Sequence, residues 1–351
     1  MGKRARSDSV GVVDLARELG VSTATVSRAL NGSPAVRPEQ AERIRAHAAA
    51  RGYVPNRLAK GLSASRSRAF VGFVVPYVDT PAYSTVAAEC ARLLSTDGTQ
   101  MILTITENDP ERELRQLREM TASRVAGLII SPSAGILEES LTILGAMPVV
   151  ELHRACGIRA PGVFSDDEQA LIDAVAHLAE LGHSEIAYVG TPRELSHGAI
   201  RLGAVRRGME LAGLDPDRMP IRLLEPTKEN GRVATAELLA MPNRPTALLV
   251  GGGALSVGAA EVVRASGFRV PDELSLIVYG DPEWFALSNP SLTTLRVSYA
   301  ELARTAARLL SEALDARESG VEVAAERHLI TPEFRLGGST APPSGHHPRL
   351  P

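Results

Sequence analysis

Val12-Val-Asp-Leu-Ala-Arg-Glu-Leu-Gly-Val-Ser-Thr-Ala-Thr-Val-Ser-Arg-Ala-Leu-Asn31 decides how the head of this chain folds. Leu15, Ala16 and Leu19 recur at helical spacing, and Gly20 follows as a stop because glycine takes the left-handed conformation that ends a helix. Ser22 then stands where a hydroxyl accepts from the free amides of a second helix, whose buried side would be Val26, Ala29 and Leu30. The pattern predicts a helix-turn-helix. In such a unit the first residues of the second helix meet base edges in the major groove, so Thr23, Ala24 and Arg28 become the candidates for reading sequence.

On the amino-terminal side, Met1–Ser9 holds Lys3, Arg4 and Arg6 without apolar periodicity and reads as an arm that touches phosphates nonspecifically. On the other side, Asn31-Gly32-Ser33-Pro34 reads as a turn, and Pro38 opens a third helix that turns Ile44 and Ala48 inward as far as Gly52. Asn56 could then cap a short helix presenting Leu58, Ala59 and Leu62. Such a helix is too short to stand alone in water, and Gly61 weakens it further. It should fold only when something holds it.

Charge separates this head from the rest. Residues 1–68 carry thirteen Lys/Arg against five Asp/Glu, a net +8, which leaves −11 for the remainder of a 351-residue chain whose total is −3. A basic head on an acidic body points to a polyanion partner for the head alone. No apolar run approaches the ~20 residues that span a bilayer. Met1–Ser9 has no apolar segment behind it, so the expected location is the cytoplasm. Cys90 and Cys156 lack partners at metal-ligand or redox spacing and read as reduced structural thiols. The eight histidines show no metal-ligand spacing, His346 and His347 included, so neither a metal nor a cofactor is expected.

From Phe70 the pattern changes to short apolar runs at 70–75, 101–106, 127–130 and 148–150, with helical stretches at 86–95, 111–120 and 137–144 between them. A second series of runs follows at 186–189, 247–250 and 276–279, separated by helices near 170–181, 200–212 and 255–266. Buried strands alternating with helices predict doubly wound α/β architecture, twice over. Gly337–Pro351 is rich in Pro, Gly, Ser and His, which predicts a disordered tail. It lacks heptads, so a dimer is the simpler expectation than a tetramer held by a coiled coil.

The residues resemble the lactose-repressor (LacI/GalR) family of bacterial transcription regulators. The match runs through Val13-Asp14-Leu15-Ala16, Gly20-Val21-Ser22, Thr25-Val26-Ser27-Arg28, Asn31 and the hinge Tyr53-Val54-Pro55-Asn56-Arg57-Leu58-Ala59. It continues through Asp109–Glu113, Val125–Ile129, Leu181–His183, Arg244–Ala247, Val270–Asp272 and Ser291–Leu295. The resemblance implies an all-α helix-turn-helix head (1–52), a hinge (53–68), a two-lobed periplasmic-binding-protein-like body (69–336) and the tail (337–351). It implies a repressor that binds a pseudo-palindromic double-stranded operator as a homodimer, under small-molecule control. Thr23, Ala24 and Arg28 would then read the major groove, with Ser22, Thr25, Ser27 and Asn31 supporting phosphate and base contacts. Tyr53, Asn56, Arg57 and Ala59 would place Leu62 as a wedge in the minor groove.

Ligands in open α/β sheets bind beyond the carboxyl ends of strands, so loops there should line a cleft between the lobes. The candidates are Tyr77, Asp79, Tyr83, His153, Asp166, Asp167, Arg201, Gly252 and Asp281. Here the chain departs from the pattern of the family it resembles: Tyr77 and Ala82 replace an aspartate and an aromatic, Gly252-Gly253 replaces an Asn-Asp pair, and Gly280 replaces the first of two aspartates. Those lost groups bind hydroxyls in sugar-responsive members. Arg201 remains, and its guanidinium suits a carboxylate, phosphate or diol. The effector is expected to be sugar-like or anionic, with a non-sugar effector, anionic or aromatic, or none as the alternative. Gly251-Gly252-Gly253 has the flexibility to cradle an anion but neither nucleotide spacing. Ala254-Leu255-Ser256-Val257-Gly258 nearly makes a nucleophile elbow, yet nothing places a histidine and an acid beside Ser256, so no enzyme is expected.

Overall fold

The computed structural model describes residues 10–30, 32–53, 68–96, 98–280 and 282–344, which divide into two compact units, one before Arg68 and one from Arg68 onward.

The first unit contains α1 (Val12–Leu19), α2 (Thr23–Leu30) and α3 (Pro38–Ala50). Gly20 closes α1 at φ 66°, donating to the carbonyls of Ala16 and Arg17. Ser22 opens α2: its Oγ accepts from Thr25 N at 3.1 Å. Leu15, Val26 and Ile44, one from each helix, are fully buried at the centre, with Ala16, Ala29 and Ala48 between them. At roughly 1.5–3 kcal/mol per buried large aliphatic side chain, these few residues hold the unit together. A carboxylate fastens the outside: Glu18 on α1 accepts from His47 Nε2 at 2.7 Å and from Arg51 Nη2 at 2.8 Å beyond α3. Those bonds, His47 first and Arg51 second, hold the Glu18 carboxyl below its ordinary range.

The second unit is built on two six-stranded sheets. The elements in order are β1 (Phe70–Val75), α4 (Pro81–Ser95), β2 (Gln100–Ile105), α5 (Pro110–Ala122), β3 (Leu128–Ile130), α6 (Glu138–Gly145), β4 (Val149–Leu152) and β5 (Gly162–Ser165). There follow α7 (Glu168–Glu180), β6 (Ile186–Gly190), α8 (Ser196–Leu211), β7 (Ile221–Leu223), α9 (Lys228–Leu239), β8 (Ala247–Val250), α10 (Gly253–Ala265) and β9 (Ser275–Tyr279). Last come α11 (Glu283–Leu287), β10 (Thr293–Arg296), α12 (Tyr299–Ser319), β11 (Arg327–Ile330) and β12 (Glu333–Arg335).

The first sheet runs β11-β5-β4-β3-β1-β2, parallel throughout. The second runs β12-β10-β9-β8-β6-β7, parallel except for β12, which lies antiparallel to β10. The chain crosses between sheets after β5, after β10 and after β11. The central strands are buried on both faces, as continuous runs such as Val71–Val75 and Ala247–Val250 require. Neighbouring strand and helix crowd the first sheet so closely that a Cβ at Gly72 would lie 2.3 Å from the Leu128 side chain of β3 and 2.6 Å from the Met120 sulfur of α5.

Two doubly wound lobes are therefore present, as the alternation of strands and helices indicates. The tail differs from its expectation over Gly337–Ser344. Ser339 is fully buried; its Oγ accepts from Thr293 N at 2.8 Å and donates to Leu276 O at 2.6 Å. Ala341 N donates to Ser275 Oγ, and the Ala341 carbonyl faces His183 Nε2 at 2.9 Å. Small hydroxylated residues allow the strap to lie flush on the backbone, so the composition that suggests disorder here serves close docking. His346 and His347 lie outside the described residues. Cys90 and Cys156 are free thiols, and burial pushes both up to about 12. Among the described residues no helix is long and apolar enough to cross a membrane, and no group of three or more His, Cys, Asp or Glu is arranged to hold a metal.

Candidate nucleic-acid interface and inter-lobe cleft

On the head, α2 divides cleanly between two faces. Val26 and Ala29 point into the core, while Ser22, Thr23, Ala24, Ser27 and Arg28 are exposed and Thr25 is half-buried. The Ser22 hydroxyl bonds both Thr25 N and Thr25 Oγ1, so the residues that begin the helix are fixed by their own cap. Arg28 makes no ion pair with another described residue, whereas Arg17, Arg45 and Arg51 pair with Asp14, Glu42 and Glu18. Arg43 reaches the Leu19 carbonyl, Arg45 the Ala29 carbonyl and Arg51 the Glu18 carboxylate, all fastening helix to helix. The expected reading residues thus form one surface. Tyr53 instead packs half-buried against the core of the head, its N–H on the Ala48 carbonyl. Asn31, Asn56, Arg57, Ala59 and Leu62 lie outside the described residues.

In the body, a cavity of about 70 Å³ opens between the two lobes at the carboxyl ends of the strands. Tyr77, Tyr83, His153, Arg201 and Gly252 line it as the sequence indicates. Asp79 is exposed and Asp166 sits on the crossover with its N–H on the Ile330 carbonyl, and neither lines the cavity. Asp281 lies outside the described residues.

Arg201 is the largest departure from expectation. Its Nε donates to Asp167 Oδ2 at 2.6 Å, Nη1 to the Gly251 carbonyl at 3.1 Å and Nη2 to Tyr279 Oη at 2.8 Å. Asp167 Oδ1 accepts in turn from Tyr279 Oη at 2.7 Å and Ser165 Oγ at 2.5 Å. Burial opposes the Arg201 charge, yet the facing Asp167 carboxylate outweighs it and holds the guanidinium above its ordinary range. With 7% and 2% exposure respectively, Arg201 and Asp167 form a dry ion pair that ties the ends of β5, β8 and β9 to α8. The fork that could meet a ligand is thus largely occupied by the protein itself.

A second set of bonds joins the lobes. Tyr77 Oη donates to Glu225 Oε1 at 3.0 Å, Arg154 lies 3.8 Å from the same oxygen, and Ala155 N donates to Ser196 Oγ at 3.0 Å. Burial, then the neighbouring Glu225 charge, raises the Tyr77 phenol. His153 adopts a left-handed backbone, φ 59°, which directs Nε2 to the Ala82 carbonyl at 3.2 Å and sets the ring edge-on to Tyr83. Burial lowers His153 to about 4 and lowers His197 well below its ordinary value, so both rings are neutral at pH 7. Ser256 is fully buried, and its Oγ accepts from Tyr279 N at 2.8 Å.

Arg154, Glu225, Thr191, His197, Tyr279 and Tyr299 are missed by the sequence reading. Thr191, Pro192 and Tyr279-Gly280 end strands that the reading located, so their position was recoverable. Glu225 follows β7, a three-residue strand with no apolar run to announce it.

The model for bacterial regulatory proteins of the lacI family matches residues 12–56, and that for the periplasmic binding protein-like domain matches residues 175–340. Catabolite control protein A of Priestia megaterium is 30% identical over 332 residues, covering 93% of this chain and 98% of that protein. This chain belongs to the LacI family. It is a transcriptional regulator with a helix-turn-helix DNA-binding head and an effector-binding type of body. The transcriptional repressor CytR of Escherichia coli K12 is 26% identical over 97% of this chain and 99% of its own length. The fold is that of the lac repressor dimer bound to operator and the anti-inducer ONPF, with a TM-score of 0.79 at 24% identity over 95% of this chain and 100% of that one. A complex of the regulator CelR with cellobiose superposes with a TM-score of 0.67 at 24% identity, over 94% of this chain and 99% of that one.

Proposed function

We propose that this LacI-family regulator represses transcription by binding a pseudo-palindromic operator as a homodimer, each subunit laying α2 in a major groove. The observation that carries this reading is the exposed face of Thr23, Ala24 and Arg28 on a helix whose start Ser22 fixes. Small residues beside one arginine let the helix approach closely, and a guanidinium forks onto guanine O6 and N7. Two half-sites about one helical turn apart follow from two-fold symmetry. Asn56, Arg57, Ala59 and Leu62 are assigned by the family resemblance to a hinge that pairs in the minor groove at the operator centre.

The cleft is the proposed control point. A ligand that prefers one arrangement of the lobes shifts their equilibrium, and only such differential affinity couples the cleft to hinge pairing. Tyr77–Glu225 and Ala155–Ser196 are the bonds that must rearrange when the lobes move. The function is regulatory rather than enzymatic, and the protein acts in the cytoplasm.

Selection of bound DNA from a random pool tests this reading, repeated with a metabolite extract. A symmetric consensus whose recovery changes with the extract supports both parts. An asymmetric consensus contradicts the homodimer, and enrichment of no sequence contradicts specific reading.

A further inference from the structure

The cleft's chemistry narrows its ligand, and the narrowing rests on the proposal above that the cleft is the effector site. Three features converge. First, rings surround the cavity: four of the chain's six tyrosines, Tyr77, Tyr83, Tyr279 and Tyr299, with the imidazoles of His153 and His197. Second, no Asp, Glu, Asn or Gln side chain is among the described residues that line it. A polyol is ordinarily gripped by planar carboxylates and amides that take two hydroxyls at once, and here Asp167 and Glu225 lie behind the wall with their oxygens on Arg201, Tyr279 and Tyr77. Third, polar atoms in the wall have no partner among the described residues: Arg154 Nε, Thr191 Oγ1 and His197 Nδ1. Arg154 and Thr191 are 2% and 1% exposed, and a buried donor without an acceptor is costly, so a ligand that brings an acceptor within reach of it is favoured.

Charge and size complete the description. The two guanidiniums at the cleft each face a carboxylate, Arg201 to Asp167 at 2.6 Å and Arg154 to Glu225 at 3.8 Å, and the two imidazoles are uncharged at pH 7. An added anion would bring an uncompensated charge into a dry site. About 70 Å³ holds roughly two waters at liquid density and is less than the ~150 Å³ that takes a benzene, so a single small ring enters as the lobes part and a larger ligand is disfavoured. Gly280 fits the same picture. At φ 88° it lies where a Cβ would meet Tyr299 Oη at 2.8 Å, so Tyr299 occupies the space an aspartate side chain would need.

We propose that the cleft binds a small, uncharged, flat ring bearing a hydrogen-bond acceptor, stacked among the tyrosines with its acceptor on Thr191 and Arg154. Thermal unfolding and calorimetry of the full chain with benzamide, benzoate and glucose test it. Benzamide should bind saturably and raise the unfolding midpoint, at least tenfold more tightly than benzoate or glucose. Thr191→Val, which removes a buried hydroxyl without a partner among the described residues, should keep or raise the ligand-free midpoint and weaken benzamide about tenfold. Tighter binding of glucose overturns the ligand class while leaving the cleft an effector site, and tighter binding of benzoate overturns its neutrality. Benzamide binding that Thr191→Val leaves intact overturns the placement. Absence of binding by all three probes overturns this inference, and if a metabolite extract also leaves operator affinity unchanged, the effector reading of the cleft falls with it.

Discussion

The head and the cleft are both recognition surfaces, built in opposite ways. On α2 the candidate reading residues Thr23, Ala24 and Arg28 face outward, and the fold depends on the opposite face of the same helix. In the cleft the polar residues face one another: Arg201 holds Asp167, Tyr77 holds Glu225, and their bonds also carry the joint between lobes. The difference teaches where stability and binding separate. On the head they are borne by different side chains, so binding can change while the fold stays. In the cleft the charged and phenolic groups bear both, so changing Arg201, Asp167, Tyr77 or Glu225 disturbs the body, whereas Thr191, whose hydroxyl has no partner among the described residues, can change alone.

Four substitutions or conditions break or sharpen that contrast. Asp167→Ala leaves Arg201 buried without its carboxylate and should cost the body about 3–5 kcal/mol in chemical denaturation. A loss below 1 kcal/mol would show that the pair is not structural. Arg28→Ala should leave stability within about 0.5 kcal/mol, yet reduce operator affinity by about 1–3 kcal/mol in a binding titration. The pH dependence comes next. Burial keeps His153 neutral in the folded state, with a value of about 4, so protonation favours unfolding. Body stability should therefore fall as pH drops from about 6.5 toward 4, by up to about 3 kcal/mol. His153→Asn, which tolerates the left-handed backbone, should flatten that slope. Ser22→Ala removes the cap of α2 and should destabilise the head by about 1 kcal/mol, read from its helical circular dichroism.

Local patterns made the head legible in advance. Periodicity placed Leu15, Ala16, Val26, Ala29 and Ile44 in the core, and turn chemistry placed Gly20 and Ser22 at the helix ends. The strands of the body were legible wherever both faces are buried, because a run such as Ala247–Val250 has no polar member. Edge strands escaped: β7 is three half-buried residues, and β12 pairs from the end of the chain. The cleft was half legible. Loops after the recognised strands supplied Tyr77, Tyr83, His153, Arg201 and Gly252, whereas Arg154–Glu225 and Arg201–Asp167 join residues far apart in sequence. No local pattern announces that two charges will find each other, so the arginine that looked free for a ligand proved already engaged. The strap Gly337–Ser344 shows the same limit, since composition cannot distinguish a loose tail from one with a matching groove.

The central claim is that sequence is read by the exposed face of α2 through Arg28. Its most direct test is a competition titration of wild-type protein and Arg28→Ala against the selected operator, the operator altered at each half-site position in turn, and scrambled DNA of equal length. Wild type should discriminate at every contacted position. Arg28→Ala should lose about ten- to a hundredfold on the operator, lose discrimination at one base pair per half-site, and bind scrambled DNA nearly as before. An equal loss on operator and scrambled DNA would make Arg28 a phosphate contact and contradict the claim.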